Sequence, residues 1–196
     1  MEKINILYID DVPDESLDRF LNENYNNDEY NYNLIFFEPS KGYESLLNDT
    51  RIQESNIIFV DSRLFTHDTV LDKKITGEEF KFVLKKFYPF IEVIVITQNE
   101  LDSTISMISK YDAKMSENTE DYYKEVISKC IENAVSNISQ YYALAQRLEK
   151  NESWEKYLKE KVLNTLNGSE VYDELSKKDI DDIIDLFKKL QEQIDG

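Results

Sequence analysis

Four short apolar runs constrain the fold of this chain more than any other feature of its sequence. Each is nearly continuous in Ile, Val, Leu, Phe and Tyr; they read INILYID, YNLIFFE, SNIIFVD and IEVIVIT. Runs of this length and composition are typical of strands buried on both faces of a parallel sheet. Helix-like stretches separate them, and the clearest, TGEEFKFVLKKF, has apolar residues at helical spacing. This alternation predicts an α/β protein with a doubly wound parallel sheet.

The sheet is expected to have five strands. The fifth is predicted to be brief and to lie near YDAKMS, residues 111–116, after a short ambiguous helix over LDSTISMISK. The first helix is predicted within PDESLDRFLNEN, with either Asp11 or Asp14 as its cap.

From Thr119 onward the pattern becomes helical. Apolar residues alternate spacings of four and three from Ile127 to Leu148, which indicates a helical seam of about three heptads. A second helix is expected around Trp154, and a last one after Ser176. The sequence therefore predicts an α/β domain over residues 1–130 and an all-helical C-terminal extension over 131–196. The seam is either intramolecular core or an interface.

The composition of the chain limits the kinds of partner that it is expected to bind. Forty acidic and 23 basic residues give a formal charge of −17 over 196 residues. Such a surface repels phosphate backbones and anionic lipid, so neither nucleic acid nor a membrane is an expected partner. The single cysteine, Cys130, excludes an internal disulfide and a Cys-rich zinc site. Without a signal-like or membrane-spanning apolar run, we expect a soluble, cytoplasmic protein.

Carboxylates follow two of the predicted strands. Asp10 and Asp11 end the first run, Asp61 ends the third, and Thr97 ends the fourth. Ligands of parallel α/β sheets gather at the carboxyl ends of the strands, and these side chains are expected to converge there. Oxygen ligands in that number suit a hard divalent cation, Mg²⁺ above all. The alternative is that the acidic pair only caps a helix, that Asp61 is a solvated loop residue and that Thr97 is an ordinary strand residue.

The segments ILYIDDVPD, IIFVDS and VIVIT resemble the receiver domain of bacterial two-component response regulators over about residues 3–130. The resemblance implies that Asp61 accepts a phosphoryl group from a histidine kinase or phosphotransfer protein. It also implies that Asp10, Asp11 and Asp61 hold Mg²⁺, with a backbone carbonyl of Arg63 as a further ligand. Thr97 would hydrogen-bond the phosphoryl oxygens.

The sequence departs from the receiver pattern in three places. The family has a Lys after the fifth strand, and counting from Thr97 reaches Thr119 instead; Lys114 comes too early. The aromatic switch residue of the fifth strand is also missing, since its position falls near Met115 or Ser116. Sixteen positions separate Asp61 from Gly77, about twice the family's gap, and His67 in this insertion is expected to be an ordinary surface residue. These departures predict an atypical receiver without the second positive group on the phosphate.

The resulting hypothesis is a phosphoacceptor that catalyses only its own modification and signals through protein contacts of its helical tail. A homodimer is one form that such contacts would take. Two alternatives stay open. A pseudo-receiver would keep the fold as a docking surface without phosphorylation, and the missing Lys favours it. An Asp-nucleophile phosphatase would need a D-x-D pattern after the first strand, which DDVPD does not supply.

Overall fold

Five strands form one parallel sheet in the computed structural model, which describes residues 3–64, 76–98, 107–112, 118–151 and 155–166. The strands are β1 (Ile4–Asp10), β2 (Tyr30–Phe36), β3 (Ile57–Asp61), β4 (Glu92–Thr97) and β5 (Met107–Ser109). Their order in the sheet is β2-β1-β3-β4-β5, and every neighbouring pair is parallel. The predicted doubly wound, five-stranded parallel sheet is therefore confirmed.

The helices around the sheet are α1 (Glu15–Asn24), α2 (Tyr43–Leu47), α3 (Thr50–Gln53), α4 (Gly77–Phe87), α5 (Thr119–Lys150) and α6 (Lys156–Leu166). A 3-10 turn at Pro39–Lys41 precedes α2.

Each strand contributes side chains to two separate cores, because successive residues of a strand point to opposite faces. In β1, Ile6 and Tyr8 pack with α1 and α5, while Leu7 and Ile9 pack with α2, α3 and α4. Burial on both faces explains why β1, β3 and β4 are nearly continuous in apolar residues, whereas β2, at the edge of the sheet, has exposed polar residues between less exposed ones. In β3 and β4 the polar residues lie at the strand ends.

Caps define where α1, which follows the first strand, and α4, which follows the insertion, begin. The Asp14 carboxylate accepts the backbone N–H groups of Ser16 and Leu17, so Asp14 and not Asp11 caps α1. Thr76 and Glu79 form a reciprocal capping box at the start of α4. Asp11 is thereby left at the strand end, next to Asp10.

The fifth strand lies earlier in the chain than predicted. It pairs Val95 with Met107 and Thr97 with Ser109, so it occupies the end of the stretch that was expected to be a short helix. The prediction near residues 111–116 is wrong because a three-residue strand carries too little periodicity to be located. Its position comes from pairing with β4.

The tail begins with one long helix. Helix α5 runs without interruption from Thr119 to Lys150, across the predicted division between residues 130 and 131, and its seam residues from Ile127 to Ile138 pack on the sheet. The first half of the seam is therefore intramolecular core. The two-domain division stays a prediction, and Trp154, His67, Lys114 to Ser116 and the expected last helix lie outside the described residues.

Among the helices that the structure describes, none combines the length and the apolar character needed to cross a membrane.

Candidate metal centre

The carboxyl edge of the sheet brings the predicted site residues together. Asp10 ends β1, Asp61 ends β3, and β1 and β3 are neighbours in the sheet. Asp11 follows Asp10, and Thr97 ends β4 beside β3. All four side chains are buried, with exposed fractions of 1% for Asp10, 7% for Asp11, 6% for Asp61 and 1% for Thr97. Buried carboxylates are costly unless they are paired or hydrogen-bonded, so the partners of these groups decide what the site can do.

The three carboxylates are close enough to share one cation. Asp10, Asp11 and Asp61 each offer an oxygen, and these oxygens lie within 4.8 Å of one another. Carboxylate oxygens are the ligands that Mg²⁺ and Ca²⁺ prefer in proteins. The structure thus brings the acidic residues together as predicted. The ion itself stays a prediction.

A lysine completes the cluster, against expectation. The Lys110 ammonium lies 3.0 Å from Asp10 Oδ2 and 2.6 Å from Asp61 Oδ1, and its side chain is only 9% exposed. Lys110 comes directly after β5, and its backbone N–H donates to the Thr97 carbonyl at 2.7 Å. The expectation that no Lys follows the fifth strand was wrong, because it counted from Thr97 with a longer connection than this chain has.

Neighbouring donors hold the two outer carboxylates in place. Asp10 Oδ2 accepts the Tyr8 hydroxyl, and Asp10 Oδ1 accepts the Val12 N–H at 3.0 Å. Asp61 Oδ2 accepts the Arg63 N–H at 2.7 Å. Arg63 therefore reaches the site through its backbone, although the group observed there is its N–H; the role of its carbonyl stays a prediction.

The electrostatics of the cluster follow from burial and from the lysine. Burial raises the pKa of Asp61, and the nearby Asp10 charge adds to this, while Lys110 acts in the opposite direction. Burial by itself would lower the pKa of Lys110, but its contacts with Asp61 and Asp10 raise it above the ordinary value. The lysine is thus held as a cation beside Asp61, the carboxyl whose ionisation burial opposes.

Helix α4 approaches the backbone of Asp61 closely through its first residue. The Gly77 N–H donates to the Ser62 carbonyl at 2.9 Å, and a Cβ at residue 77 would lie 2.9 Å from Ser62 Cα and overlap the Asp61 carbonyl oxygen. Ser62 Oγ also donates to Glu78 at 2.7 Å. Gly77 thus lies directly against the end of β3, and only glycine allows so close an approach.

Three site features had weak sequence signals. Lys110 follows the shortest strand, and Tyr8 has the appearance of ordinary strand filler. Gly77 is one of only four glycines, and its position just after Thr76 at a helix start was the available clue.

Fold and site together define a class: a doubly wound parallel α/β protein with an acidic cluster and a lysine at the carboxyl edge of its sheet. No protein-family model and no curated protein matches the sequence. Among solved structures, the chain is similar to the lysine decarboxylase LdcF of Francisella novicida, at 16% identity and a TM-score of 0.38. That similarity covers 78% of this chain, which spans about one fifth (20%) of the length of the decarboxylase.

Proposed function

We propose that this chain is a receiver-type phosphoacceptor of two-component signalling. Asp61 takes the phosphoryl group from a histidine kinase or phosphotransfer protein, and Asp10, Asp11 and Asp61 hold Mg²⁺. The observation that carries the proposal is the Lys110 ammonium 2.6 Å from Asp61 Oδ1, inside the group of three carboxylates. Carboxylates alone suggest a cation, whereas a buried lysine aimed at one of them adds a second positive group for an anion.

The charge of the cluster supports a divalent cation. Asp10, Asp11 and Asp61 gather three carboxylates whose oxygens lie within 4.8 Å of one another, in a site whose side chains are less than a tenth exposed. Like charges this close repel one another, and more strongly where water is excluded. A divalent cation held by the three residues would offset that repulsion more fully than the single ammonium of Lys110 does.

The chemistry assigned to the chain's own residues is limited. A carboxylate oxygen of Asp61 forms a bond to phosphorus, the P–N bond of the donor phosphohistidine breaks, and its electron pair returns to the imidazole nitrogen. Lys110 offsets the charge on the phosphoryl oxygens, and the Thr97 hydroxyl donates to one of them. Bound Mg²⁺ supplies further neutralisation of the same oxygens.

Output through protein contacts is the proposed consequence. Helices α5 and α6 present exposed apolar side chains at Tyr142, Leu144, Tyr157 and Leu158, which suit a protein partner or self-association as a homodimer. The charge of −17 continues to disfavour nucleic acid and membranes as partners. A cytoplasmic location, where such kinases act, belongs to the same proposal.

The pseudo-receiver alternative has lost its main support, since it rested on the missing lysine. It is retained as the interpretation that applies if Asp61 is not modified.

Intact-mass measurement after incubation with acetyl phosphate and Mg²⁺ tests the proposal. We expect the mass of one added phosphoryl group in the wild-type protein, lost on treatment with hydroxylamine as an acyl phosphate would be. Asp61→Asn should remove the adduct. Asp28→Asn is the matched control, because Asp28 is an exposed acid away from the site.

No adduct in the wild-type protein, or an equal adduct in Asp61→Asn, would contradict phosphoryl transfer to Asp61. In the first case, Mg²⁺ binding measured by calorimetry tells an unmodified metal site from a cluster without a ligand.

A further inference from the structure

Hydrogen bonds extend from the carboxylate cluster into the fold. The Tyr8 hydroxyl donates to Asp10 Oδ2 and accepts the Asp14 N–H at 3.2 Å. Tyr8 is fully buried in the core beneath the site. This hydroxyl therefore joins a proposed metal ligand to the cap of helix α1.

The path continues from Asp14 to helix α5. One oxygen of Asp14, Oδ1, caps α1, and the other, Oδ2, accepts the Tyr123 hydroxyl at 3.3 Å. Tyr123 is 1% exposed and lies near the beginning of α5. The Tyr123 side chain is thus packed in the core and also hydrogen-bonded to the residue that caps α1.

A second path closes a ring. The Tyr123 hydroxyl accepts the Tyr111 N–H at 3.2 Å, and Tyr111 follows Lys110, whose ammonium returns to Asp10 Oδ2. A parallel contact runs from the Tyr122 hydroxyl to the Ser109 carbonyl at 2.9 Å. Together these hydrogen bonds make a closed path, which we call the tyrosine ring; the name refers to the path and not to an aromatic side chain. Its members are Asp10, Tyr8, Asp14, Tyr123, Tyr111 and Lys110.

Both halves of the tyrosine ring end on one atom. Tyr8 and Lys110 each contact Asp10 Oδ2, an oxygen of a carboxylate whose charge a cation at the cluster would share. Their other ends meet at the Tyr123 hydroxyl, through Asp14 on one side and Tyr111 on the other. A change at Asp10 can therefore affect the Tyr123 hydroxyl by both routes.

We propose that the tyrosine ring couples occupancy of the carboxylate cluster to the first turns of helix α5. The coupling rests on the proposed function for its cation but not on phosphorylation. Binding of Mg²⁺ to Asp10 weakens the contacts of Tyr8 and Lys110, the anchor of Tyr123 loosens, and the beginning of α5 opens more often. Because coupling is reciprocal, removing the Tyr123 anchor makes the site easier to occupy.

Hydrogen exchange over residues 119–126, with and without Mg²⁺, measures the first half of this coupling. In the wild-type protein we expect faster exchange when Mg²⁺ is present. In Tyr123→Phe, exchange is expected to be fast already and to respond little to Mg²⁺. Calorimetry should show Mg²⁺ binding roughly fivefold tighter in Tyr123→Phe, the lower end of ordinary coupling factors.

Tyr25→Phe is the matched control. The Tyr25 hydroxyl donates to Ser128 Oγ on the same helix at 3.0 Å, but it has no part in the tyrosine ring. We expect wild-type Mg²⁺ affinity and a wild-type exchange response in this variant. Equal behaviour of Tyr123→Phe and Tyr25→Phe would overturn the proposal.

A double-mutant cycle separates coupling from simple loss of packing. Tyr8→Phe releases Asp10 Oδ2 and should also tighten Mg²⁺ binding, but Tyr8→Phe combined with Tyr123→Phe should gain little beyond either single change. Full additivity of the two effects would contradict a shared path.

Failure of the metal site itself is distinguished by a change that needs no cation. If the wild-type protein does not bind Mg²⁺, the cation in the proposed function is wrong, and Asp10→Asn then perturbs the same oxygen directly. The ring predicts that Asp10→Asn speeds exchange over residues 119–126 in the wild-type background and not in Tyr123→Phe. Equal increments in both backgrounds would overturn the coupling.

Discussion

At the scale of single residues, Lys110 supplies the positive charge that lies against Asp10 and Asp61. It stands between Asp10 and Asp61 with less than a tenth of its side chain exposed, and so it already occupies the position of a counter-ion. Burial makes this pairing far more consequential than a surface ion pair, because removing one partner leaves the other charges buried and uncompensated.

Replacing Lys110 by Met is expected to lower the free energy of unfolding by about 3–5 kcal/mol, the usual cost of breaking a buried pair from one side. Mg²⁺ should restore part of that loss, since it would neutralise the same carboxylates. Urea unfolding with and without Mg²⁺ measures both effects.

Lys41→Met is the control for this change, since Lys41 pairs with Glu38 on the surface, where both side chains are 59% exposed. It should cost less than about 1 kcal/mol. Equal stability of Lys110→Met and the wild-type protein would show that the cluster does not depend on the lysine.

At the scale of elements, the beginning of helix α4 contacts the residues at the end of β3. Gly77 packs against the backbone of Asp61 and Ser62, and the N–H of Gly77 donates to the Ser62 carbonyl. The helix is started independently by the capping box of Thr76 and Glu79. Gly77 thus determines how closely α4 approaches the end of β3, whereas Thr76 and Glu79 determine where the helix begins.

Gly77→Ala should therefore displace Asp61 and Ser62 without melting α4. We expect a loss of about 1–3 kcal/mol in the free energy of unfolding, as for other overpacked sites, together with weaker Mg²⁺ binding. Thermal unfolding and calorimetry are the measurements. Phe82→Ala, on the exposed side of the same helix, should change stability by no more than about 0.5 kcal/mol. Unchanged Mg²⁺ binding in Gly77→Ala would contradict this role of Gly77.

At the scale of the whole molecule, buried phenols are part of what holds the sheet and its helices together. Burial is the main cause that raises the pKa of Tyr8, Tyr32 and Tyr123 above the ordinary value, and hydrogen bonds to Asp10 and Asp18 add to it for Tyr8 and Tyr32. A folded pKa above the unfolded one means that the stabilisation is fully present below the unfolded pKa of 10.0 and is lost as the pH rises above it.

Stability is accordingly expected to fall as the pH rises from 9 toward about 11, with a slope of up to about 1.4 kcal/mol per pH unit for each such phenol. Urea unfolding at a series of pH values measures the slope, and Tyr32→Phe should reduce it by about one phenol's share. If spectrophotometric titration shows Tyr32 ionising near pH 10 in the folded protein, this account of its burial is wrong.

Much of the fold followed from the sequence. Apolar runs alternating with helical stripes were enough to predict the parallel sheet, since strands buried on both faces must be apolar throughout. The placement of Asp10, Asp11, Asp61 and Thr97 at one edge followed in turn, because the carboxyl ends of parallel strands meet there. These predictions depend on local pattern and on a general rule of topology.

The fifth strand and its lysine could not be located in the same way. Met107, Ile108 and Ser109 become a strand by hydrogen bonding to β4, and residues 98–106 make a connection shorter than the dozen or so residues of an ordinary crossover. Position counting by the family's spacing therefore went past Lys110. A run of three residues carries no local signal that it will form a strand. Its pairing with β4 depends on contacts that exist only in the folded protein.

The sequence by itself determined the class of fold and the acidic residues of the site, because strand burial and strand ends are written in residue order. Only the tertiary structure showed that the Lys110 ammonium lies among the carboxylates, and that hydrogen bonds connect the cluster to helix α5. Lys110, Tyr8, Asp14 and Tyr123 are brought together across as many as 115 positions of chain, from Tyr8 to Tyr123, by packing of the sheet against α1 and α5. Contacts of that kind depend on the whole core being formed, and no local pattern specifies them.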